Sequence, residues 1–297
     1  MRFDRWLHHH SIDLSEKTVA ITGSTGGIGK ELCRLLLASG ASLIMLDRSP
    51  ERSAALRATL KAEFPHAVLQ HVHVTLDDMT SVKAACEEVK RLPVDILIHN
   101  AGAYSIPRYT TPEGYDNVFT INAVAPYYIT KTLLPQLRER GGRVVVVGSI
   151  AHRYSKADAK DVDFSTRRQA SLVYGNAKRY LMFSLYELFR SETKVTLSVC
   201  HPGITLTNIT AHYPKWIFAL IKYPMKVIFM SPRKAALSIL LGCVRSCCYH
   251  EWIGPWLLDV WGMPQKSKLR SCAPAECEHI YRTMEESIKQ AAQRLCR

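Results

Sequence analysis

Tyr174 and Lys178 are the two residues whose types and spacing point most directly to chemistry. They stand four positions apart near the start of a predicted helix, 172–191, so their side chains lie on one face. A lysine near a phenol stabilises the phenolate and lowers the pKa of the tyrosine from its ordinary value of about 10. Tyr174 could then exchange a proton with an alcohol or a carbonyl near neutral pH. This spacing is common by chance, so the prediction depends on where the fold puts the pair.

Ser149 and Asn122 are two further polar residues at positions that suit a site. Ser149 ends an apolar run, 144–149, that predicts a buried strand, so its hydroxyl would face the crevice where the strand ends. Asn122 stands within an apolar helical stretch, where its amide needs hydrogen-bond partners. Those partners could be structural or could belong to a site, and the sequence leaves both alternatives open.

A glycine-rich stretch near the N-terminus predicts where a nucleotide binds. Residues 22–29 contain four glycines and join an apolar run, 18–22, to a helical pattern. A turn of this kind leaves backbone N–H groups at the positive end of a helix, which binds a diphosphate. Gly23 would allow the tight turn, Gly27 the close approach of phosphate, and Gly29 the packing of the helix on the sheet.

The predicted second strand, 42–47, ends in Asp47 and is followed by Arg48. An acidic side chain at this point accepts hydrogen bonds from the adenosine ribose and repels a 2′-phosphate, so Asp47 favours NAD. The guanidinium of Arg48 can pair with that phosphate and would favour NADP. Because Asp47 has the better spacing from the glycines, the sequence favours NAD as the cofactor, with NADP as the alternative.

Strand and helix patterns alternate through most of the chain and predict the fold class. Repeated units of this kind predict an α/β protein with a doubly wound, Rossmann-like parallel sheet of about seven strands. Ligands of such sheets bind at the carboxyl ends of the strands. The fourth strand leads into Asn100, Ala101 and Gly102, where small residues would let a flat ligand lie close. The strands are predicted at 18–22, 42–47, 68–74, 95–99, 143–148, 194–200 and 250–254, and the helices at 49–63, 79–91, 113–138, 172–191, 231–247 and 276–294.

Length and composition predict one dinucleotide-binding domain over residues 1–297, with an N-terminal extension at 1–14 and a C-terminal helix at 274–297. The nine cysteines show neither a CxxC pair nor a Cys/His metal spacing, so we expect reduced cytoplasmic thiols and no metal. The net charge of +13 is spread along the chain, so we expect a solvated basic surface and no nucleic-acid partner. An acidic membrane surface stays open as a peripheral contact.

These residues together make the sequence resemble the short-chain dehydrogenase/reductase family, and most of all its retinol-dehydrogenase-like and related bacterial reductase branch. The resemblance covers about residues 15–210. It is carried by motifs in the family's order, namely the glycine-rich stretch, Asn100-Ala101-Gly102, Asn122, Ser149, Tyr174 with Lys178, and His201-Pro202-Gly203 with Thr207.

The resemblance implies a hydride transfer and a role for each motif residue. Tyr174 would donate a proton to a ketone or accept one from an alcohol, and Ser149 would orient that oxygen. Lys178 would bind the nicotinamide ribose and depress the pKa of Tyr174, and Asn122 would hold a water of the proton relay. The cofactor contacts that the resemblance implies are Gly23, Ser24, Thr25, Gly27, Ile28, Gly29, Asp47, Arg48, Leu76, Asn100, Ala101, Gly102, Tyr174, Lys178, Pro202, Gly203 and Thr207.

Three features depart from the family's pattern. Thr75 stands where the family often has an aspartate that contacts adenine, and His99 replaces the usual asparagine at the end of the fourth strand. Ser149 and Tyr174 are 25 residues apart, a wider gap than in many members. We expect the extra segment, 154–170, to form a flap at the rim of the active site.

Residues 208–230 are rich in aromatic and aliphatic side chains, but Lys222, Pro224 and Lys226 interrupt them, so a transmembrane helix is not expected. Two alternatives remain. The segment could be a helical substrate lid, which this position holds in the resembling family, or an interfacial helix pair at a membrane. The lid is favoured, and its apolar side chains would fit a bulky apolar substrate better than a polar metabolite.

The sequence therefore predicts a cytoplasmic NAD(P)-dependent oxidoreductase for a lipophilic alcohol or ketone, such as a steroid, a retinoid or a long-chain carbonyl. A catalytically idle NAD(P)-binding regulatory protein and a membrane-surface scaffold are the alternatives. Ser149, Tyr174, Lys178 and Asn122 favour the enzyme, since an idle binder has no need of all four. The substrate, the physiological direction and the formation of a homodimer stay open.

Overall fold

The computed structural model describes residues 6, 9–10, 12–205, 230–269 and 272–294. These residues form eight strands and seven α-helices of eleven or more residues. The strands are β1 (Thr18–Thr22), β2 (Ser42–Asp47), β3 (Leu69–His73), β4 (Ile96–His99), β5 (Arg143–Val147), β6 (Thr196–Cys200), β7 (Glu251–Leu257) and β8 (Trp261–Lys268). The helices are α1 (Gly27–Ala38), α2 (Pro50–Glu63), α3 (Met79–Val89), α4 (Ala125–Glu139), α5 (Ala170–Leu188), α6 (Pro232–Val244) and α7 (Pro274–Arg294).

One sheet contains all eight strands, in the order β3-β2-β1-β4-β5-β6-β7-β8. The first seven strands run parallel, and the order reverses between β1 and β4, so a ligand crevice opens at the carboxyl ends of these two strands. The predicted doubly wound parallel sheet is confirmed. The eighth strand, β8, lies antiparallel to β7 at the edge. The sequence does not predict it, because Gly262, Pro264 and several polar residues interrupt any alternating pattern.

Apolar side chains cover both faces of the sheet in two layers. In β1, Ala20 packs in the layer with α3, α4, α5 and α7, whereas Val19 and Ile21 pack in the layer with α1, α2 and α6. Strands buried on both faces read as continuous apolar runs, which is why their positions follow from the sequence. Because both faces are covered, a ligand can reach polar groups of the sheet at the edge formed by the carboxyl ends of its strands.

The predicted helix at 113–138 differs from the observed one. The chain forms a short helical turn, Asn117–Phe119, then a π-helical segment, Thr120–Val124, and regular helix only from the start of α4. Single π-helical turns are rare and occur often at functional sites. Asn122 lies inside this one.

The C-terminal helix α7 packs against α5 and α4. The carboxylate of Glu285 accepts a hydrogen bond from the Tyr127 hydroxyl at 2.6 Å and pairs with the Lys131 ammonium at 3.0 Å. No helix in the described part of the chain is both long enough and apolar enough to cross a membrane.

Part of the predicted site lies outside the described residues. Thr207 is there, and so is the predicted lid at 208–230 apart from Met230. Met230 forms a parallel β-bridge with Thr205, close to the end of β6. The lid and the division of 1–297 into one domain with extensions therefore stay predictions.

Candidate active site

The glycine turn after β1 brings two strand ends very close together. Gly23 has a φ of +70°, in the left-handed region, and a Cβ at this position would lie 2.9 Å from the Cα of Ala101. A Cβ on Gly29 would lie 2.2 Å from the carbonyl oxygen of Gly23. The turn therefore has no room for a side chain at either glycine, as a tight turn and a closely packed helix require.

The N-terminus of α1 suits an anionic ligand. Within the described residues no side chain caps this helix, which begins at the exposed Gly27. By contrast, Ser49 and Asp78 cap the first N–H groups of α2 and α3. Free N–H groups at a helix N-terminus bind phosphate, so the residues present fit the diphosphate of a dinucleotide.

Asn100 and Thr22 join the end of β4 to the glycine turn. The Asn100 amide donates to the carbonyl oxygens of Thr22 at 3.1 Å and Gly23 at 2.9 Å. The Thr22 hydroxyl oxygen accepts from the backbone N–H groups of Asn100 and Ala101, both at 3.1 Å. The side chain of Asn100 thus supports the turn, and its predicted contact with the cofactor stays a prediction.

The buried carboxylate of Asp47 is turned toward the glycine turn. It accepts hydrogen bonds from the Ser24 hydroxyl and from Thr25, whose N–H lies at 3.2 Å and whose hydroxyl lies at 3.3 Å. A carboxylate has about four acceptor positions, so some capacity remains for a ribose hydroxyl. Arg48 is exposed beside it.

Arg52 is a basic residue at the turn that the sequence analysis does not identify. Its guanidinium donates to the carbonyl oxygen of Thr25 at 3.3 Å. With Lys30 and Arg34 it lines a cavity of about 230 Å³, which contains none of the predicted catalytic residues. Arg34 is paired with Glu63 at 2.8 Å. Lys30 and Arg52 suit a phosphate and therefore favour NADP, whereas Asp47 favours NAD. No local motif marks Arg52, because only the packing of α2 brings it to the turn.

Tyr174, Lys178 and Ser149 meet where β5 ends beside α5. The Lys178 ammonium is buried, lies 5.7 Å from the centre of the Tyr174 ring, and donates to the carbonyl oxygen of Val147 at 2.9 Å. Burial lowers the pKa of Lys178 to about 8. Burial raises the pKa of Tyr174 to about 12, and the nearby Ser149 acts in the opposite direction.

The prediction that Lys178 lowers the pKa of Tyr174 is wrong for this arrangement. The ammonium donates to a backbone carbonyl, and the loss of solvation around the phenol decides the direction of its shift. Tyr174 is therefore a protonated phenol at neutral pH, which suits a proton donor.

Asn122 is fully buried, and its amide is hydrogen-bonded to backbone. The amide nitrogen donates to the carbonyl oxygens of Val118 at 2.8 Å and Ala103 at 2.9 Å, and its oxygen accepts from the Ala103 N–H at 3.2 Å. A Cβ on Gly102 would lie 2.9 Å from the Asn122 oxygen and 3.6 Å from the Lys178 ammonium. The side chain therefore has a structural role, and it fixes the loop after β4 next to Lys178.

The predicted flap at 154–170 packs beside Tyr174. Its Phe164 forms an apolar cluster with Val118 and Val173, against which Tyr174 packs. Arg108 fixes the flap by donating to the carbonyl oxygen of Phe164 at 2.8 Å. The surroundings of the phenol on this side are apolar.

Arg179 and Glu276 are two residues near the site that the sequence analysis misses. The Arg179 guanidinium makes two bonds to the Glu276 carboxylate, at 2.7 and 2.8 Å, and a third to the carbonyl oxygen of His152 at 3.0 Å. The His152 Nδ1 lies 2.6 Å from the carbonyl oxygen of Ser149. Glu276 also accepts from the N–H of Ala157 in the flap at 2.9 Å. We call this chain of contacts the α7 strut.

The turn after β6 packs against the β7–β8 hairpin. Gly203 has a φ of +77°, and a Cβ there would lie 2.7 Å from both the carbonyl oxygen of Val260 and the sulfur of Met230. The buried ring of His201 stacks on Trp252 with 5.1 Å between ring centres. Burial lowers the pKa of His201 to about 4, so this imidazole is neutral at pH 7.

The structure brings most of the predicted residues to one edge of the sheet. Asn122 and Lys178 lie beside Gly102 after β4, and the Lys178 ammonium also contacts Val147 at the end of β5 and lies 5.7 Å from the centre of the Tyr174 ring. Ser149 is near enough to Tyr174 to affect the pKa of the phenol. The predicted cofactor residues Ile28 and Leu76 are partly buried, and they pack against the two apolar layers. The set has the composition expected of a dinucleotide-binding oxidoreductase, in which a turn that fits a diphosphate and a group suited to proton transfer share one edge of the sheet.

Comparison with known proteins gives the family. The family model described as short chain dehydrogenase matches residues 17–161. Retinol dehydrogenase 12 of Mus musculus is 31% identical over 273 residues, which are 90% of this chain and 85% of that protein. Retinol dehydrogenase 14 of Mus musculus is 30% identical over 248 residues, 76% and 73% of the two chains. The crystal structure of an uncharacterized protein from Mycobacterium Paratuberculosis has the same fold, with a TM-score of 0.76 at 23% identity over 93% of this chain and 95% of that one.

The chain belongs to the short-chain dehydrogenase/reductase family. It is an NAD(P)-dependent dehydrogenase or reductase, and the resemblance that the sequence predicts is confirmed.

Replacement of Glu276 by glutamine should lower kcat about tenfold or more while the KM for the cofactor stays unchanged. The amide keeps the size of the side chain but loses the two-bond contact with Arg179, so the turn that carries Ser149 can shift. Steady-state kinetics measure both constants. Glu278→Gln is the matched control, since Glu278 pairs with the exposed Arg282 on the same helix. Equal kcat values in the two variants would contradict a positioning role for the α7 strut.

Replacement of Lys178 by methionine should reduce the increase in the free energy of unfolding that we expect between pH 8 and 10.5. Between pH 8 and 10.5 the unfolded lysine keeps its proton while the folded one has lost it, so the free energy of unfolding rises with pH across this window. The contribution of this buried group is on the order of 3 kcal/mol. Urea unfolding across the window measures it for the wild type, Lys178→Met and the exposed control Lys61→Met. Parallel curves for all three would show that Lys178 does not titrate near pH 8.

Proposed function

We propose that the chain transfers a hydride between nicotinamide and a lipophilic alcohol or ketone, with Tyr174 as general acid and base. The observation that carries the proposal is the position of the buried Lys178 ammonium, 5.7 Å from the centre of the Tyr174 ring, with Ser149 near enough to the phenol to lower its pKa. Two hydroxyls held together can donate to one carbonyl oxygen, and preorganised donors of this kind stabilise the charge that develops there.

The proton follows a short route in this proposal. During reduction the Tyr174 hydroxyl donates its proton to the carbonyl oxygen of the substrate while Ser149 holds that oxygen. During oxidation Tyr174 first passes its own proton to solvent by way of the relay beside Lys178, and the resulting phenolate then accepts the proton of the alcohol. The nicotinamide, when bound, supplies or takes the hydride. Lys178 has a pKa of about 8, so it can exchange a proton near neutral pH. Asn122 fixes the loop beside Lys178, where a water could continue the relay.

A lipophilic substrate is supported by the surroundings of Tyr174. The ring meets Tyr104 edge to face at 5.4 Å and packs against the cluster of Val118, Phe164 and Val173. Side chains of this kind offer apolar contact and few groups for a sugar or a small acid. Two relatives of the chain are named for retinol, itself a lipophilic alcohol.

NAD is the proposed cofactor, because the Asp47 carboxylate at the end of β2 would lie where a 2′-phosphate would have to bind. Arg48, Arg52 and Lys30 favour the phosphate of NADP. A buried like charge at short range outweighs cations that are exposed to solvent, since water screens the exposed cations.

A cytoplasmic location belongs to the same proposal. The sequence shows no CxxC pair, which supports a reducing compartment, and among the described cysteines only the sulfur atoms of Cys272 and Cys277 lie in contact, at 2.6 Å. Pairing into a homodimer and peripheral contact of the 208–230 segment with a membrane stay predictions.

Tyr174→Phe should lower kcat by about 10²–10⁴-fold, the range typical of a general acid. The ring and its packing remain while the hydroxyl is lost, so NADH should bind as in the wild type. Turnover with a ketone substrate and a fluorescence titration with NADH measure the two effects. A kcat near that of the wild type would remove Tyr174 from its proposed role.

Asp47→Ser should raise the ratio of kcat/KM for NADPH to that for NADH by about tenfold, because one close like charge is removed. The serine hydroxyl can still bond with the turn. Asp13→Ser is the control, since it removes the same charge at an exposed position far from the crevice. A wild type that already prefers NADPH by tenfold would show that the cations, and not Asp47, decide the cofactor.

The value of kcat/KM should rise about fourfold for each carbon added to an aliphatic ketone, the ratio that corresponds to ~0.8 kcal/mol per buried CH₂. The rise should stop when the chain fills the apolar space beside Tyr174. A polyhydroxylated ketone of equal length serves as the control and should be a poor substrate. A flat series would argue against a lipophilic substrate while leaving the proton-transfer roles in place.

A further inference from the structure

The tip of the β7–β8 hairpin, residues 256–261, carries a cluster of exposed apolar side chains. Trp256 is 55% exposed, Leu257 42%, Leu258 82% and Trp261 40%. These four are half of the eight large apolar side chains that are exposed in the described part of the chain. Contiguous exposed apolar groups in a folded protein indicate a contact surface. We call these four residues the hairpin tip.

Neither the backbone conformation nor the packing of the described fold favours a leucine at position 258. It has a φ of +52°, and Asp259 after it has a φ of +60°, so both lie in the left-handed region. Hairpin turns of this geometry favour asparagine, aspartate and glycine, and a leucine in this conformation is strained. Its side chain also gains almost no burial. The folded chain alone therefore derives no stability from a leucine at this position.

The hairpin tip is apolar on both faces of the hairpin. Leu257 lies opposite Trp261 in the strand register. Trp256 lies across Gly262, where a Cβ would be 2.3 Å from the indole nitrogen. Successive side chains of a strand point to opposite faces, so Trp256 and Leu257 lie on different sides, with Leu258 at the end. A flat protein surface could cover only one of these sides, whereas a fluid apolar phase covers both.

One cation that is not paired with Asp259 lies beside the hairpin tip. The Lys234 ammonium lies 5.1 Å from the centre of the Trp261 ring. The acidic Asp259 is paired with Arg153 at 2.8 Å, so its charge is compensated. The whole chain carries a net charge of +13. A second copy of the chain is a poor partner for the hairpin tip, because two copies joined there would bring like charges together. In addition, a stable protein interface takes ~20–30 residues from each side, and the hairpin tip offers four. An anionic surface would attract the tip.

We propose that the hairpin tip inserts into the interface of an anionic phospholipid bilayer. Trp256 and Trp261 lie at the level of the headgroups, where indoles are favoured, and Leu258 reaches deepest. The carbonyl oxygen of Val260 packs against Gly203, so the docked bilayer lies next to the turn after β6 and the crevice. Lys234 contacts lipid phosphate. The contact needs no membrane-spanning segment.

Leu258→Asn tests the proposal without risk to the fold. Asparagine suits the left-handed turn, so the melting temperature should stay equal or rise. Co-sedimentation with phosphatidylcholine vesicles that contain phosphatidylserine should show binding about tenfold weaker than that of the wild type, the ratio expected from the loss of one buried leucine side chain. The wild type should bind vesicles of phosphatidylcholine alone more weakly.

Val68→Asn is the matched control, because Val68 is 56% exposed at a place remote from the hairpin. It should bind vesicles like the wild type. Equal binding of wild type and Leu258→Asn, or no binding of the wild type, would overturn the proposal. A wild type that is dimeric by size exclusion, with a monomeric Leu258→Asn, would overturn it in favour of contact between copies. The assay uses neither substrate nor cofactor, so a negative result leaves the proposed oxidoreductase function untouched.

Discussion

The hydrogen bonds that join the ends of β1 and β4 are the constraint on which the rest of the site depends. Asn100 donates them to Thr22 across the point where the strand order reverses, and Gly23 lies too close to Ala101 for any side chain. The chain that leaves this junction passes Gly102, which lies between Asn122 and Lys178. One junction therefore positions both the turn proposed to bind the diphosphate and the residues proposed for proton transfer, so a change at Gly23 would disturb both.

Loss of solvation governs the electrostatics of this site. It disfavours the charged forms of both Lys178 and Tyr174, so the pKa of the ammonium falls to about 8 while that of the phenol rises to about 12. In a water-poor site, donors that are already oriented interact strongly with charge that develops on a reacting oxygen. The Ser149 hydroxyl near Tyr174 would be such a donor, and its effect on the pKa of Tyr174 is opposite to that of burial.

The sequence predicts those parts of the molecule whose signals are local. Apolar runs predict the parallel strands, because both faces are buried, and the glycine spacing predicts the turn. Spacing also predicts that Tyr174 and Lys178 share a face, but it does not reveal that the ammonium donates to Val147, so the predicted pKa shift has the wrong sign. Glu276 is 97 residues from Arg179, and no local pattern predicts such a contact.

The C-terminal part of the chain contacts the backbone of the candidate active site, although it carries none of the family's motifs. The family model ends at residue 161, before Tyr174 and Lys178. The α7 strut connects Glu276 on α7, through Arg179, to the turn that carries Ser149. Val260 in the β7–β8 hairpin packs against Gly203, which follows β6. Both contacts act on backbone close to the reacting groups, where small displacements affect rates strongly. Residues that no motif records can therefore affect the rate of this chain through the backbone that they hold.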